Sequence, residues 1–373
     1  MSTFGQLYSD VLEKMVNAKL NKYLDFDKSQ LGCLFTPELH AVDWDLQEYF
    51  TKYEAMDNKE RVSADTLKML KDLSAKKEYA YALVAPAFLG QFDKKVSPGK
   101  LRNAFKAIGF DGMVEVAVFA DILTLKEALE FDLNIKTEED YQLTSCCCPM
   151  WIAMIRKIYH DLMPHVPATV SPMIAAGRTV KILHPDSLTV FIGPCMAKKA
   201  EAREPDLKGA IDHVLTFEET AQVFDLLNIK LEEMEDSEKE FSSRGGRIYA
   251  KAGGVSEAVK ATVEKLNPTR EIGVRVRTAA GVPECRAMLN DLVEGKGAAN
   301  FFEGMGCVGG CVGGPKALID KTDAAKFVDE YAGQAVYETP IDNPYVVELL
   351  RRLGFETPDS LLEDNKFFTR KFD

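Results

Sequence analysis

Cys146, Cys147, Cys148, Cys195, Cys307 and Cys311 stand in three short loops of the chain, and thiols grouped this way can hold metal. In TSCCCPMW the adjacent thiols run into Pro149, which cannot continue a strand and suits the first turn of a helix. The helical pattern WIAMIRKIYHDLM follows, and the amides and dipole of a helix N-terminus favour the charged thiolate. Cys195 lies in GPCMAKK with Lys198 and Lys199 close behind, and ammonium groups also favour a thiolate. Cys307 and Cys311 form C-x3-C inside EGMGCVGGCVGG. Glycines there admit positive φ and let the backbone approach a bulky ligand closely.

Each loop alone has a plainer account. Adjacent cysteines equally fit small buried hydrophobes, and a glycine-rich C-x3-C equally fits a redox-labile turn or a phosphate nest. Structural zinc usually shows paired C-x2-C or Cys/His spacings. His40, His160, His165, His184 and His213 form no pair at ligand spacing. Cys33, alone in an apolar context, reads as a buried cysteine, and Cys285 carries no assignment. Together, three cysteine loops in one α/β chain favour an iron–sulfur site over zinc.

The elements that must position these loops come from the hydrophobic pattern. EYAYALVAPAFLG reads as a buried strand ending at Pro86. PGKLRNAFKAIGF follows as a helix, MVEVAVFA as a strand and DILTLKEALEF as a helix. Strand and helix alternating at these lengths indicate parallel βαβ units. SLTVFIGP is a strand before Cys195, FEETAQVFDLLN and GVPECRAMLNDLVEG are helices, and ANFFEG is a strand before Cys307. In open α/β sheets the loops leaving strand ends build the sites. Residues 1–76 are polar and mostly helical in period, with Leu7, Val11, Leu12 and Met15 on one stripe and a solvated charge run over Lys52–Arg61.

Composition narrows the class. Hydrophobic residues make up 46% and charged residues 28%, which suits a soluble globular protein. A net charge of −12 argues against nucleic acid and against a polybasic membrane anchor. No apolar run reaches the length of a spanning helix, and the N-terminus lacks the pattern of a secretory signal. The expectation is a cytoplasmic protein whose thiols are reduced.

The three loops resemble the signature loops of iron-only (FeFe) hydrogenases, which read TSCCPxW, MPCxxKxxE and ExMxCxxGCxxGG. Here they stand in the same order as TSCCCPMW, GPCMAKKAE and EGMGCVGGCVGG. Weaker likeness covers Ala85–Ala87, ADILTLKEALE, Ser171-Pro172, IDHVLTFEE, GGVSEA and NPYVVELLRRLG. The resemblance implies a six-iron H-cluster: a 4Fe–4S cubane joined through one cysteine to a di-iron unit carrying carbon monoxide, cyanide and a dithiomethylamine bridge. It implies that Cys148, Cys195, Cys307 and Cys311 ligate metal, with Cys311 bridging the two units. Cys147 would relay protons, and Lys198 would bond a cyanide. Met305 would line the di-iron pocket, with Ala85 and Pro86 opposite and Ser256 in the surrounding wall. Glu127 and Glu130 match the family's carboxylate relay, or else form a charged i, i+3 pair on an exposed helix face.

Several positions depart from the family pattern. Gly193 and Ser256 replace methionines, Pro167 replaces a relay serine, and Cys146 stands where the pattern has serine. Such changes resemble divergent branches, some of which sense dihydrogen. The implied fold is α/β: two lobes with parallel-sheet βαβ units, the cluster in the cleft between them, and a helical N-terminal extension. The division is residues 1–76 and 77–373. The implied activity is reversible proton reduction to dihydrogen, an anaerobic oxidoreductase drawing electrons from ferredoxin or a similar carrier; the alternative is a slow dihydrogen sensor. Maturation proteins would supply the di-iron unit. Lys94, Lys95, Lys100 and Arg102 offer a carrier docking patch or, more simply, a solvated surface.

Overall fold

A computed structural model describes residues 3–17, 25–45, 48, 62–144, 147–237 and 241–372. Cys146 and the whole of the Lys52–Arg61 run lie outside the described residues. Ala80–Val84 (β1), Gly112–Glu115 (β2), Leu188–Gly193 (β4) and His213–Thr216 (β5) form a four-stranded sheet ordered β2-β1-β4-β5, parallel throughout. Gln142–Leu143 (β3), Val276–Ala280 (β6) and Phe301–Met305 (β7) form a second parallel sheet, ordered β3-β7-β6. Parallel pairing requires helical crossovers and buries both sheet faces. β1 and β7 are accordingly buried along their whole length.

Helix starts follow local chemistry. Pro98, Pro149, Pro172, Pro344 and Pro358 each open a helix, and Ser97, Ser171, Asn343 and Thr357 cap four of them. Proline gives up no needed N–H at that position, and the preceding side chain accepts a free amide. The strand expected over MVEVAVFA is shorter than the sequence pattern suggests. It ends at Glu115, and an 18-residue helix, Ala117–Asn134, takes over. That helix is apolar on nearly every side because it is buried on nearly every side, so its helical period is masked in the sequence.

The core around the four-stranded sheet includes Tyr81, Leu83, Phe191 and Ile192, and also Phe4, Val11, Leu31, Met69 and Leu70 from the first 76 residues. The Phe4–Asn17 helix packs on Pro344–Arg352, and the Phe4 amide donates to the Glu356 carbonyl at 2.6 Å. Separate clusters around Trp151, Phe302 and Leu289, and around Phe131, Val259 and Phe301, pack on the second sheet. This is an α/β molecule of two sheet-centred lobes.

Arg102 is no part of a surface patch. Its guanidinium donates to Glu115 at 3.0 Å, both side chains are 1% exposed, and the Tyr331 hydroxyl donates to the other Glu115 oxygen. Lys95 and Lys100 are tied to Glu232. Removing one partner of a buried ion pair strands the other charge, so Arg102→Ala is expected to cost roughly 3–5 kcal/mol. Urea unfolding of the variant against the parent measures it.

Candidate functional site

The cysteine loops all leave the C-terminal ends of parallel strands. Cys147 and Cys148 follow β3, Cys195 follows β4, and Cys307 and Cys311 follow β7, while Ala85 and Pro86 follow β1. Two different sheets therefore supply the thiols. They meet: burial, then Cys195 and Cys148, push the Cys307 thiol up to about 11, and the same causes in the same order raise that of Cys311. Among the described residues no three His, Cys, Asp or Glu side chains approach closely enough to grip a single metal ion.

The backbone is shaped around this meeting point. The Gly306 amide donates to Cys148 Sγ at 3.3 Å. Gly309 and Gly310 have φ of 87° and 90°, and a Cβ on Gly310 would sit 2.5 Å from the Ala252 amide nitrogen. Only glycine fits that turn. The loop is stitched to Ala250 and Ala252 by main-chain bonds of 3.0 Å each. Trp151 packs against β7, where a Cβ on Gly304 would come to 2.0 Å from its ring. Gly193 leaves no void for a missing methionine, because a Cβ there already meets Phe191 at 2.9 Å and Ala85 at 3.1 Å.

Charge is arranged to suit bound iron. Burial pushes the Cys195 thiol up, against the lowering effect of Lys198 and of the Ala197 and Lys198 amides. Protonated thiols packed together are a poor resting state, and metal cations would replace those protons. Lys198 is 7% exposed. Burial alone would lower its pKa, but the Glu201 carboxylate, 2.7 Å from Nζ, and the thiols of Cys195 and Cys311 leave it raised, so it is an ammonium. Glu201 keeps its other oxygen, Oε1, buried without a partner, and the motif GPCMAKKAE already carried this acid as its last letter. The donor set, the glycine cradle and the buried ammonium fit an anionic iron–sulfur cofactor.

Cys147 sits deeper. Its thiol pKa is raised by burial, then by Cys148, Glu127, Glu303 and Cys311. Glu127 is 1% exposed, so the exposed-face alternative for Glu127 and Glu130 fails. Glu130 pairs with Lys126 at 3.1 Å and accepts the Thr169 hydroxyl at 3.4 Å, and burial still raises its pKa. A cavity of about 440 Å³ reaches it, lined also by Gln142, His165 and Pro167.

Glu303 was missed by sequence reasoning, although it begins the third motif. It is fully buried, accepts the Ser256 hydroxyl at 2.6 Å and the Ser256 and Gly253 amides at 2.8 Å, and burial raises its pKa despite those bonds. The Ser256 hydroxyl is thus committed to Glu303. Tyr249, also missed, receives the Thr124 hydroxyl at 2.8 Å and feels both Glu127 and Cys147. Met305 closes β7, 2% exposed, its carbonyl accepting the Gly281 amide.

A sequence profile described as "Iron only hydrogenase large subunit, C-terminal domain" matches residues 78–315. The chain belongs to that family. It is 27% identical over 269 residues to Iron hydrogenase 1 of Clostridium pasteurianum, covering 61% of this chain and 47% of that protein. Against the Periplasmic Fe hydrogenase large subunit of Nitratidesulfovibrio vulgaris it is 28% identical over 261 residues, covering 59% and 62%. The chain thus spans about half to three-fifths of the curated relatives it matches. In fold it is similar to a variant of FeFe-hydrogenase HydA1 from Chlamydomonas reinhardtii, with a TM-score of 0.68 and 21% identity over 83% of this chain and 99% of that one. HydA(deltaEFG), a structure described as revealing stepwise H-cluster assembly, matches with a TM-score of 0.67, again at 21% identity over 83% and 99%.

Anaerobic reconstitution with iron and sulfide is expected to load about four irons per chain. Cys307→Ala or Cys195→Ala should lose most of that iron and its visible absorbance, whereas Cys33→Ala should lose none.

Proposed function

We propose that this protein is an iron-only hydrogenase that reversibly joins two protons and two electrons into dihydrogen. The carrying observation is the convergence of Cys148, Cys195, Cys307 and Cys311 from two sheets beside a buried ammonium and a buried fifth thiol. Cys148, Cys195 and Cys307 would hold three corners of the cubane and Cys311 its junction with the di-iron unit. When bound, the H-cluster supplies the electrons and the open iron position for dihydrogen chemistry. Everything else falls to the chain.

Lys198 offers N–H donors and positive charge to an anionic ligand that would otherwise be costly to bury. Met305, Ala85 and Pro86 line the pocket with groups that carry no competing proton. Cys147 keeps its proton at neutral pH because burial holds its pKa up, and it can pass that proton only to an adjacent acid or base. Glu127 is such a group. From there Glu130 leads to the solvent-lined cavity beside Pro167. The hydroxyl absent at Pro167 is offered two residues later by buried Thr169, which already donates to Glu130.

The unit so described is residues 77–373 with 1–76 as a helical extension. Electrons come from ferredoxin or a similar carrier, the di-iron unit from maturation proteins, and the compartment is the cytoplasm. Among the described residues no helix is long and apolar enough to cross a membrane. One observation favours a second role, that of a slow dihydrogen sensor: Gly193, Ser256 and Pro167 all replace residues of the family pattern. Turnover rate set against dihydrogen affinity separates sensor from catalyst.

Infrared spectroscopy of the matured protein is the deciding test, with bands of iron-bound carbon monoxide and cyanide expected to shift under dihydrogen. A loaded cubane that takes up no di-iron unit and shows no such bands would sink the hydrogenase assignment. Cys147→Ala is expected to keep the iron content and lose about 100-fold or more in turnover. Unchanged turnover would mean that protons leave by another route.

A further inference from the structure

The buried Ala117–Asn134 helix carries a single lysine, Lys126, and it is only 2% exposed. Lysine is almost never buried this far unless it is paired. Its Nζ lies 3.1 Å from Glu130 Oε1, one turn along the helix, and donates to the Leu361 and Leu362 carbonyls at 3.3 and 3.4 Å. Those three acceptors match the three N–H donors of a lysine head group. A buried ion pair adds little net stability over apolar side chains of the same size. Packing alone therefore gives no reason for a lysine here.

The same stretch of chain holds the other partner of Glu130. Beyond the Pro358–Leu362 helix, Thr369 comes opposite Thr169 in an antiparallel bridge. The Val170 amide donates to the Phe368 carbonyl at 2.9 Å, and the Arg370 amide to the Ala168 carbonyl at 2.8 Å. Thr169 is fully buried, and its hydroxyl donates to Glu130 Oε2 at 3.4 Å. Each oxygen of Glu130 thus has one partner, and residues 358–370 touch the backbone or side chain of both. This segment is itself anchored, with Phe368 fully buried and Arg370 bonded to Asp206 at 3.0 Å. Burial raises the pKa of Glu130, whereas Lys126 and then Thr169 lower it. A group that must both take and release a proton works best when neither form is strongly favoured.

We infer that Lys126 is a positioning residue of the proton route, and that residues 358–370 brace it and Thr169 against Glu130. The inference rests on the hydrogenase function proposed above. During dihydrogen oxidation, a proton leaving Cys147 by way of Glu127 needs a carboxylate at Glu130 to accept it. Without Lys126 the effect of burial loses its main counterweight, and Glu130 stays protonated to higher pH. The other titratable groups lining the cavity beside Glu130 are Glu139, Asp140, Tyr141 and His165. They are the same in parent and variant.

The test compares the matured full chain with Lys126→Met and Lys126→Gln. Infrared pH titration follows the Glu130 carboxyl band, assigned by its loss in Glu130→Gln. Dihydrogen oxidation with oxidised viologen as electron acceptor is measured over the same pH range. Both Lys126 variants should move the carboxyl midpoint to higher pH, and the acid limb of the rate profile should move with it. The rate at neutral pH should fall about tenfold or more. Adding Lys126→Met to Glu130→Gln should cost no further activity. Arg370→Pro removes an amide that Arg370→Ala keeps, so its midpoint should lie above that of this control. A midpoint unmoved in both Lys126 variants overturns the positioning role, and so does a moved midpoint with a parent-like rate profile. Equal midpoints in Arg370→Pro and Arg370→Ala overturn the brace. A matured parent that oxidises no dihydrogen refutes the hydrogenase function instead, and the carboxyl midpoints then still decide whether Lys126 acts on Glu130.

Discussion

Four thiols from two separate sheets have to share one buried spot, and the rest of the molecule is arranged around that requirement. Thiolates repel one another, and burial makes each charge harder to hold. The raised thiol pKa values of Cys195, Cys307 and Cys311 express both effects. Cationic iron resolves the repulsion, so the site and its cofactor are complete only together. Until it is filled, the buried thiols keep their protons and so escape that repulsion. The two sheet cores and the long buried helix Ala117–Asn134 supply the rigidity that keeps the loops in place.

Position follows from the parallel sheets. In such sheets every strand delivers its C-terminal end to the same edge, so β1, β3, β4 and β7 can each hand a loop to one cleft. Small residues then decide how near the loops come. Gly304 admits Trp151, Gly310 admits the Ala252 amide, and Gly193 admits Ala85. A larger side chain at any of these would move a cysteine loop rather than fill a gap.

Polarity inside the cleft is divided by function. Lys198 and Glu201 put one compensated charge beside the thiols. Burial, and after it Cys148, Glu127, Glu303 and Cys311, keep the Cys147 thiol protonated. Glu303 is held by Ser256 and Gly253, whereas Glu130 is reached by a cavity. The two carboxylates thus differ in access to solvent rather than in chemistry.

Much of the site is legible in the residues alone. Thiol type, loop spacing and the glycines around Cys307 and Cys311 mark a metal loop wherever the chain places them, because those constraints are local. Strand and helix order likewise follows from period and from proline, with the exception of MVEVAVFA, where complete burial erases the helical period. What pairs across the cleft is not legible in this way. Whether Arg102 is a surface cation or a buried partner of Glu115, and whether Glu127 faces water or Cys147, depends on packing between residues far apart in sequence. Glu303 and Tyr249 become visible only when β7 and the Arg244–Ile248 helix bring them to Cys147 and Glu127. Sequence by itself determined the donors and their local geometry, since residue type and spacing carry that information. Tertiary structure decided their neighbours, since burial and long-range contact set which groups are charged, which are exposed and which can exchange a proton.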